Sequence, residues 1–271
     1  MFLLPLIASL CCLGASPAPV PPVPPPTGWE EGPGYGVASR DTGNPLGDNI
    51  FIGYAGYRIT LAEAQRWVAA LYEARLRQLG VRTVVAVQGP RGEFYEGQEL
   101  GNRELVAALS GWIHAGTRNL IVAGHSSGAY VANDFLEQLR GSKLAGRTAG
   151  KVVYFNLDGG DLFLGPKTLS SVRRAYCVSA YSASIKTHSA NSEDMTKLAA
   201  RFPGKGGVLV TDASAAGCTK DSVWCLHISL INTRPHDPTG ASGIDYADFQ
   251  GRPVETQWLD RRARDAQLLP P

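Results

Sequence analysis

Cysteine is scarce in this sequence: five in 271 residues, two of them (Cys11 and Cys12) in the opening segment. Cys218 and Cys225 lack the paired spacing of a zinc ribbon, and no two of the five histidines sit at i, i+4, so no metal site emerges and none is expected. Charge is also sparse. Asp, Glu, Lys and Arg make up 18% of the chain and the formal net charge is +2, with no block of Lys and Arg and no aromatics interleaved with basic residues. That excludes a nucleic-acid footprint, so nucleic acid is not an expected partner. No N-x-S/T sequon occurs, and no P-loop or G-x-G-x-x-G follows an apolar strand, which leaves nucleotide cofactors without a cradle. No cofactor is expected. Internal repeats are absent too.

The opening run "MFLLPLIASLCCLGAS" is apolar and ends in small residues. It is too short to span a bilayer and reads as a signal-peptide core over residues 1–15, although no Lys or Arg precedes Arg40. Cys11 follows Leu10 rather than a small residue, so a lipoprotein cleavage site does not fit. The expectation is a secreted or periplasmic protein without a stable membrane span. Residues 16–47 begin "SPAPVPPVPPPTGW", and prolines at that density read as an extended spacer. One folded unit is expected over 48–260, acting as a monomer, with a frayed tail at 261–271.

Within that unit, apolar runs alternate with helical patterns. "NIFIGYAGY", "VRTVVAVQG", "NLIVAGHS", "GKVVYFNLDGG", "RRAYCVSAYS" and "GGVLVTDAS" read as strands. "TLAEAQRWVAALYEARLRQLG" places Thr60 and Glu63 in capping-box positions and ends at Gly80, and "NRELVAALSGWIHAG", "SGAYVANDFLEQLRG" and "SEDMTKLAARF" complete the helices. The fold class this implies is α/β: a three-layer α/β/α sandwich around a mostly parallel sheet. Ligands of such sheets bind beyond the carboxyl ends of the strands, which is where "GYAG", "QGP", "GHSSG" and "DGG" fall.

The sharpest signal is Gly124-His125-Ser126-Ser127-Gly128, which matches G-x-S-x-G between an apolar strand and a helix. The pattern demands a tight strand-to-helix turn with Ser126 at its apex and small residues on either side, so that the chains pass without collision. The following helix N-terminus supplies N–H groups able to stabilise negative charge.

In this stretch and in the order of its elements the chain resembles the α/β-hydrolases, and the G-H-S-x-G form is similar to their lipases and esterases. The resemblance implies that Ser126 is the nucleophile and that the Ser127 N–H is half of an oxyanion hole. The other half is expected from "GYAGY", through an N–H of Tyr54, Ala55 or Gly56.

A serine hydroxyl needs a base, and histidine is the usual one. His125 lies inside the elbow, His114 follows an apolar helix and His188 sits in a polar loop, which leaves His227 and His236 in the order Ser, acid, His. "CTKDSVWCLHISLINTRPHDPTG" resembles the end of the cutinase family, where a disulfide loop leads through a short helix to the catalytic histidine. On that resemblance His236 is the expected base and His227 the alternative. A Cys218–Cys225 disulfide bracing this segment is expected, with Cys177 unpaired. For the acid, Asp158 ends the apolar strand "VVYFNLD", where pancreatic-type lipases place theirs, and is preferred; Asp221, between Cys218 and Cys225 as in cutinases, is the alternative. Asp161 and Asp212 read as turn or cap residues.

About fifteen residues separate Asp158 from the next strand, which leaves no room for a large lid or cap. An open site fits a small-molecule or polymeric ester substrate. The expected function is a secreted serine hydrolase of carboxylic esters, of esterase, lipase or cutinase-like type. The alternatives are an acyltransferase or thioesterase with the same serine, or a non-catalytic binding protein on the same fold.

Overall fold

The computed structural model describes residues 28–39, 48–91, 99–159, 165–182, 185–186, 200, 204–212, 223–231, 256–263 and 268. Their strands are β1 (Glu30–Gly32), β2 (Tyr35–Ser39), β3 (Asn49–Tyr54), β4 (Val81–Val87), β5 (Asn119–His125), β6 (Val152–Leu157), β7 (Arg174–Ser182), β8 (Ile185–Lys186) and β9 (Gly206–Asp212). They form one sheet. Its parallel body runs β4-β3-β5-β6-β7-β9; β2 and then β1 extend it antiparallel beyond β4, and β8 adds a short antiparallel pairing to β7. All six residues of β3 and of β6, and all seven of β5, are buried. That is the signature of strands covered on both faces, and the reason their sequences are apolar runs rather than alternations.

The two covers are distinct. On one face lie α1 (Leu61–Leu71), α6 (Val223–Ser229) and α7 (Gln257–Arg262), which pack Trp67, Leu71, Leu226 and Trp258 against Phe51, Ile121 and Phe155 of the sheet. On the other lie α2 (Glu99–Trp112), α3 (Gly128–Gly141) and α5 (Pro166–Ser171), whose Leu105, Phe135, Leu139 and Leu169 meet Ile52, Val122 and Tyr154. A four-residue helix, α4 (Ala145–Thr148), links α3 to β6. Helix α1 begins with the expected capping box: Thr60 N–H donates to Glu63 Oε2 at 2.8 Å and Glu63 N–H to Thr60 Oγ1 at 3.3 Å. Among the described residues no helix is long and apolar enough to cross a membrane.

Two boundaries differ from the sequence expectation. Residues 30–39, read as spacer, belong to the sheet: Tyr35 to Ser39 pair with Val87 to Thr83 of β4. The proline run upstream dominates the composition there and masks the short proline-free stretch 35–39, which pairs along β4. The segment read as a frayed tail also holds core residues. Leu268 is fully buried in the cluster that contains Trp258, Leu259 and Ala263, and its N–H donates to Ala263 O at 2.8 Å. Polar neighbours in "RRARDAQLL" hide this spacing of apolar residues. The expected helix over 192–202 lies, but for Ala200, outside the described residues.

Candidate active site

Backbone strain marks one edge of the sheet. Among the described residues, three non-glycine residues adopt left-handed φ: Arg58 at 59°, Ser126 at 54° and Asp158 at 51°. They follow β3, β5 and β6, three adjacent strands, at their carboxyl ends. Each such conformation costs on the order of 1–3 kcal/mol and persists only where the surroundings over-determine it. The hydrogen bonds that do so are visible. Ser126 N–H continues the ladder to Leu157 O at 2.9 Å, and Asp158 N–H to Val178 O at 2.8 Å. Both residues are therefore fixed one step past the ends of neighbouring strands.

The glycines of the elbow are steric requirements. A Cβ at Gly124 would lie 2.6 Å from Ala129 Cα, and one at Gly128 would lie 2.3 Å from Ala55 O and 2.6 Å from Tyr54 O. Helix α3 thus starts against the backbone of the β3 turn, and only glycine fits there. Gly128→Ala should lower the unfolding free energy by about 1–3 kcal/mol or more, read as a shift in urea midpoint. Gly111→Ala in α2, where nothing lies within 4 Å of the added carbon, is the control. It should be neutral or stabilise by up to about 1 kcal/mol.

The expected oxyanion donors are placed as follows. Ser127 stands at the N-terminus of α3, and no side chain caps that helix end. The Ser127 N–H has no partner among the described residues. Ala55, one of three candidates in the opposite loop, is corrected: its N–H is committed to Val87 O at 3.0 Å, because the chain keeps one more ladder bond past β3. Tyr54 is the last residue of β3 and fully buried; its phenol donates to Asn102 Oδ1 at 3.0 Å, and burial, with Asp134 nearby, pushes its pKa well above the usual value. Gly56 lies against the elbow, where a Cβ would be 3.0 Å from Ser126 Cβ and 3.0 Å from His125 Nδ1. Its N–H has no partner among the described residues, and its carbonyl accepts from Ile59 N–H at 3.1 Å.

Asp158 is 1% exposed, and its Oδ2 lies 2.5 Å from Nδ1 of His227, itself 5% exposed on α6. An ionised carboxylate can only accept, so Nδ1 carries the hydrogen, and in the neutral ring Nε2 is left as the acceptor. Burying the carboxylate without such a donor would be costly. The contact described for Asp158 is thus with His227, the alternative base; the preferred His236 is not among the described residues. His236, Asp221, Asp161, Cys218 and His188 lie outside the described residues; Cys177 is buried in β7. His114 is half exposed and pairs with Asp48, away from this edge.

Two residues were not singled out from the sequence. Asn156 accepts the Gly159 N–H on Oδ1 at 2.8 Å and so closes the turn that carries Asp158. His125 contacts His227, its ring centroid 4.4 Å from that of His227 at an interplanar angle of 42°. An Asn two residues before an acid at a strand end was the only available hint of the first. For the second there was no local hint, since the contact spans 102 residues of sequence.

Strand order, helices on both faces and a left-handed serine at the β5–α3 turn together make this the α/β-hydrolase fold. No protein-family model matches the sequence, and no curated protein matches it. Among solved structures the chain is similar to the Pyrococcus furiosus esterase Pf2001, at 13% identity and a TM-score of 0.43 over 66% of this chain and 78% of that one. It is similar to Porphyromonas gingivalis dipeptidyl peptidase 4 at 12% identity and TM-score 0.42, over 68% and 31% of the two chains. It is also similar to Aspergillus fumigatus lipase B at 11% identity and TM-score 0.40, over 87% and 61%. Likenesses of that size carry nothing over to the chemistry of this chain.

Proposed function

We propose that the protein is a serine hydrolase of carboxylic esters, with Ser126 as nucleophile, His227 as base and Asp158 as the acid that orients it. The observation that carries this reading is the buried 2.5 Å contact between Asp158 and His227, one strand over from a serine held in left-handed geometry. In the mechanism, Nε2 of His227 takes the Ser126 proton as Oγ attacks the ester carbonyl. The charge that develops on the ring is stabilised by Asp158. The tetrahedral oxyanion forms against the N–H groups of Ser127 and Gly56. Collapse expels the alcohol, which receives the proton from His227. Water, activated by the same ring, then hydrolyses the acyl-serine.

The substrate proposed is an ester of modest acyl length or an ester exposed on a polymer, since few residues separate β6 from β7. Action outside the cytoplasm, after export directed by residues 1–15, belongs to the same proposal. A fluorophosphonate probe tests the chemistry, because only an activated serine reacts with it. The expected result is stoichiometric labelling of Ser126, with turnover of p-nitrophenyl esters that falls as the acyl chain lengthens. Absence of both labelling and turnover in the folded protein would leave the fold as a binding scaffold.

A further inference from the structure

We propose that His125 is a positioning residue, one that holds His227 in register with the nucleophile by capping its main-chain carbonyl. The proposal rests on the reading of His227 as base. Helix α6 spans only Val223–Ser229, and the last carbonyls of a helix have no partner within it. Each of the three before its final residue finds one outside the helix's own backbone ladder. Leu226 O accepts the Ser229 hydroxyl at 2.6 Å, Ile228 O accepts the Ile231 N–H at 3.0 Å, and His227 O is met by His125 Nε2 at 2.9 Å. A carbonyl can only accept, so Nε2 of His125 carries the hydrogen.

His125 immediately precedes Ser126, and its ring is 3% exposed. Gly56 closes over its Nδ1 side, where a Cβ would approach to 3.0 Å, and the His227 ring makes a tilted contact with it at 4.4 Å between centroids. The base is therefore bound to the elbow twice: by its main chain through a hydrogen bond, and by its ring through the tilted ring contact. Asp158 fixes the third direction through Nδ1. This arrangement sets the base relative to Ser126 through a single intervening side chain. A misplacement of about 1 Å at a reacting group can cost on the order of 10²-fold in rate.

Glutamine and asparagine separate the hydrogen bond from packing. A glutamine at 125 puts its amide nitrogen near the position of Nε2, whereas an asparagine puts its own near Nδ1 and cannot reach the His227 carbonyl. His125→Phe keeps a ring for the contact with His227 and has no donor. Steady-state kinetics on a p-nitrophenyl ester and fluorophosphonate inactivation rates are measured for all three, on protein shown by circular dichroism to be folded. The expected result is a kcat loss of about 10–10²-fold for His125→Asn and His125→Phe, with KM little changed. His125→Gln should keep most of the wild-type kcat. Should the phenylalanine variant not fold, the Gln and Asn variants decide alone. Equal losses in Gln and Asn variants, a full kcat in the Asn variant, or an effect confined to KM would overturn the proposal. His227→Ala, run alongside, separates the two readings. If it keeps activity, the assignment of the base fails; if it abolishes activity while His125→Asn behaves as wild type, only the role of His125 fails.

Discussion

Replacing Ser126 with alanine is expected to lower kcat for ester hydrolysis by on the order of 10³-fold or more and to leave the urea midpoint essentially unchanged. The two halves of that result have separate causes. Activity is lost because Ser126 alone stands at the apex of the turn and alanine offers no hydroxyl there. Stability is kept because alanine has the same Cβ and therefore the same penalty at a φ of 54°. Ser126→Gly sharpens the test. It is equally inactive, yet relieves the left-handed strain and should raise stability by about 1 kcal/mol. A site whose inactive variant is the more stable one is a site where strain is held for function. Esterase activity surviving in both variants would remove Ser126 from the mechanism.

That strain explains which parts of the molecule are legible in the sequence. The alternation of elements could be read because each buried strand needs a continuous apolar run, and each helix a face. The elbow could be read because close passage of chains leaves glycine as the only residue that fits at 124 and 128, and this writes a local pattern. Asp158 could be read for a similar reason: a carboxylate at the end of a fully buried strand requires a partner. The edge strand β2 was hidden by a proline-rich neighbour, since composition averages over a window wider than five residues. Leu268 was hidden because one apolar residue among polar ones has no period of its own. The partner of Asp158 is a tertiary fact. His227 sits 69 residues downstream, in a buried stretch where a histidine also reads as filler between Leu226 and Ile228. A resemblance weighs strings and so points to His236, which lies outside the described residues, whereas the contact with His227 depends on where α6 crosses the sheet.

The pair itself carries the second large effect. Asp158→Asn should keep the shape of the turn, since the main-chain bond from residue 158 to Val178 O and the Asn156 closure do not involve the carboxylate. It should nevertheless lower kcat by on the order of 10⁴-fold, because a neutral amide no longer selects the imidazole tautomer with hydrogen on Nδ1. Asp221→Asn, in contrast, should leave kcat near its original value. His227→Ala should match Ser126→Ala in lost activity and in addition destabilise the fold by about 3–5 kcal/mol, since it strands a buried carboxylate. Adding Asp158→Asn to His227→Ala should restore much of that stability without restoring activity. The two losses are therefore strongly non-additive in both readouts, as expected for groups that act as one unit. His236→Ala completes the set, and on this reading its effect is small. If His236→Ala proves the more damaging of the two histidine substitutions, and the effects of Asp158→Asn and His227→Ala simply add, then the base is His236. The buried contact between Asp158 and His227 would then be structural.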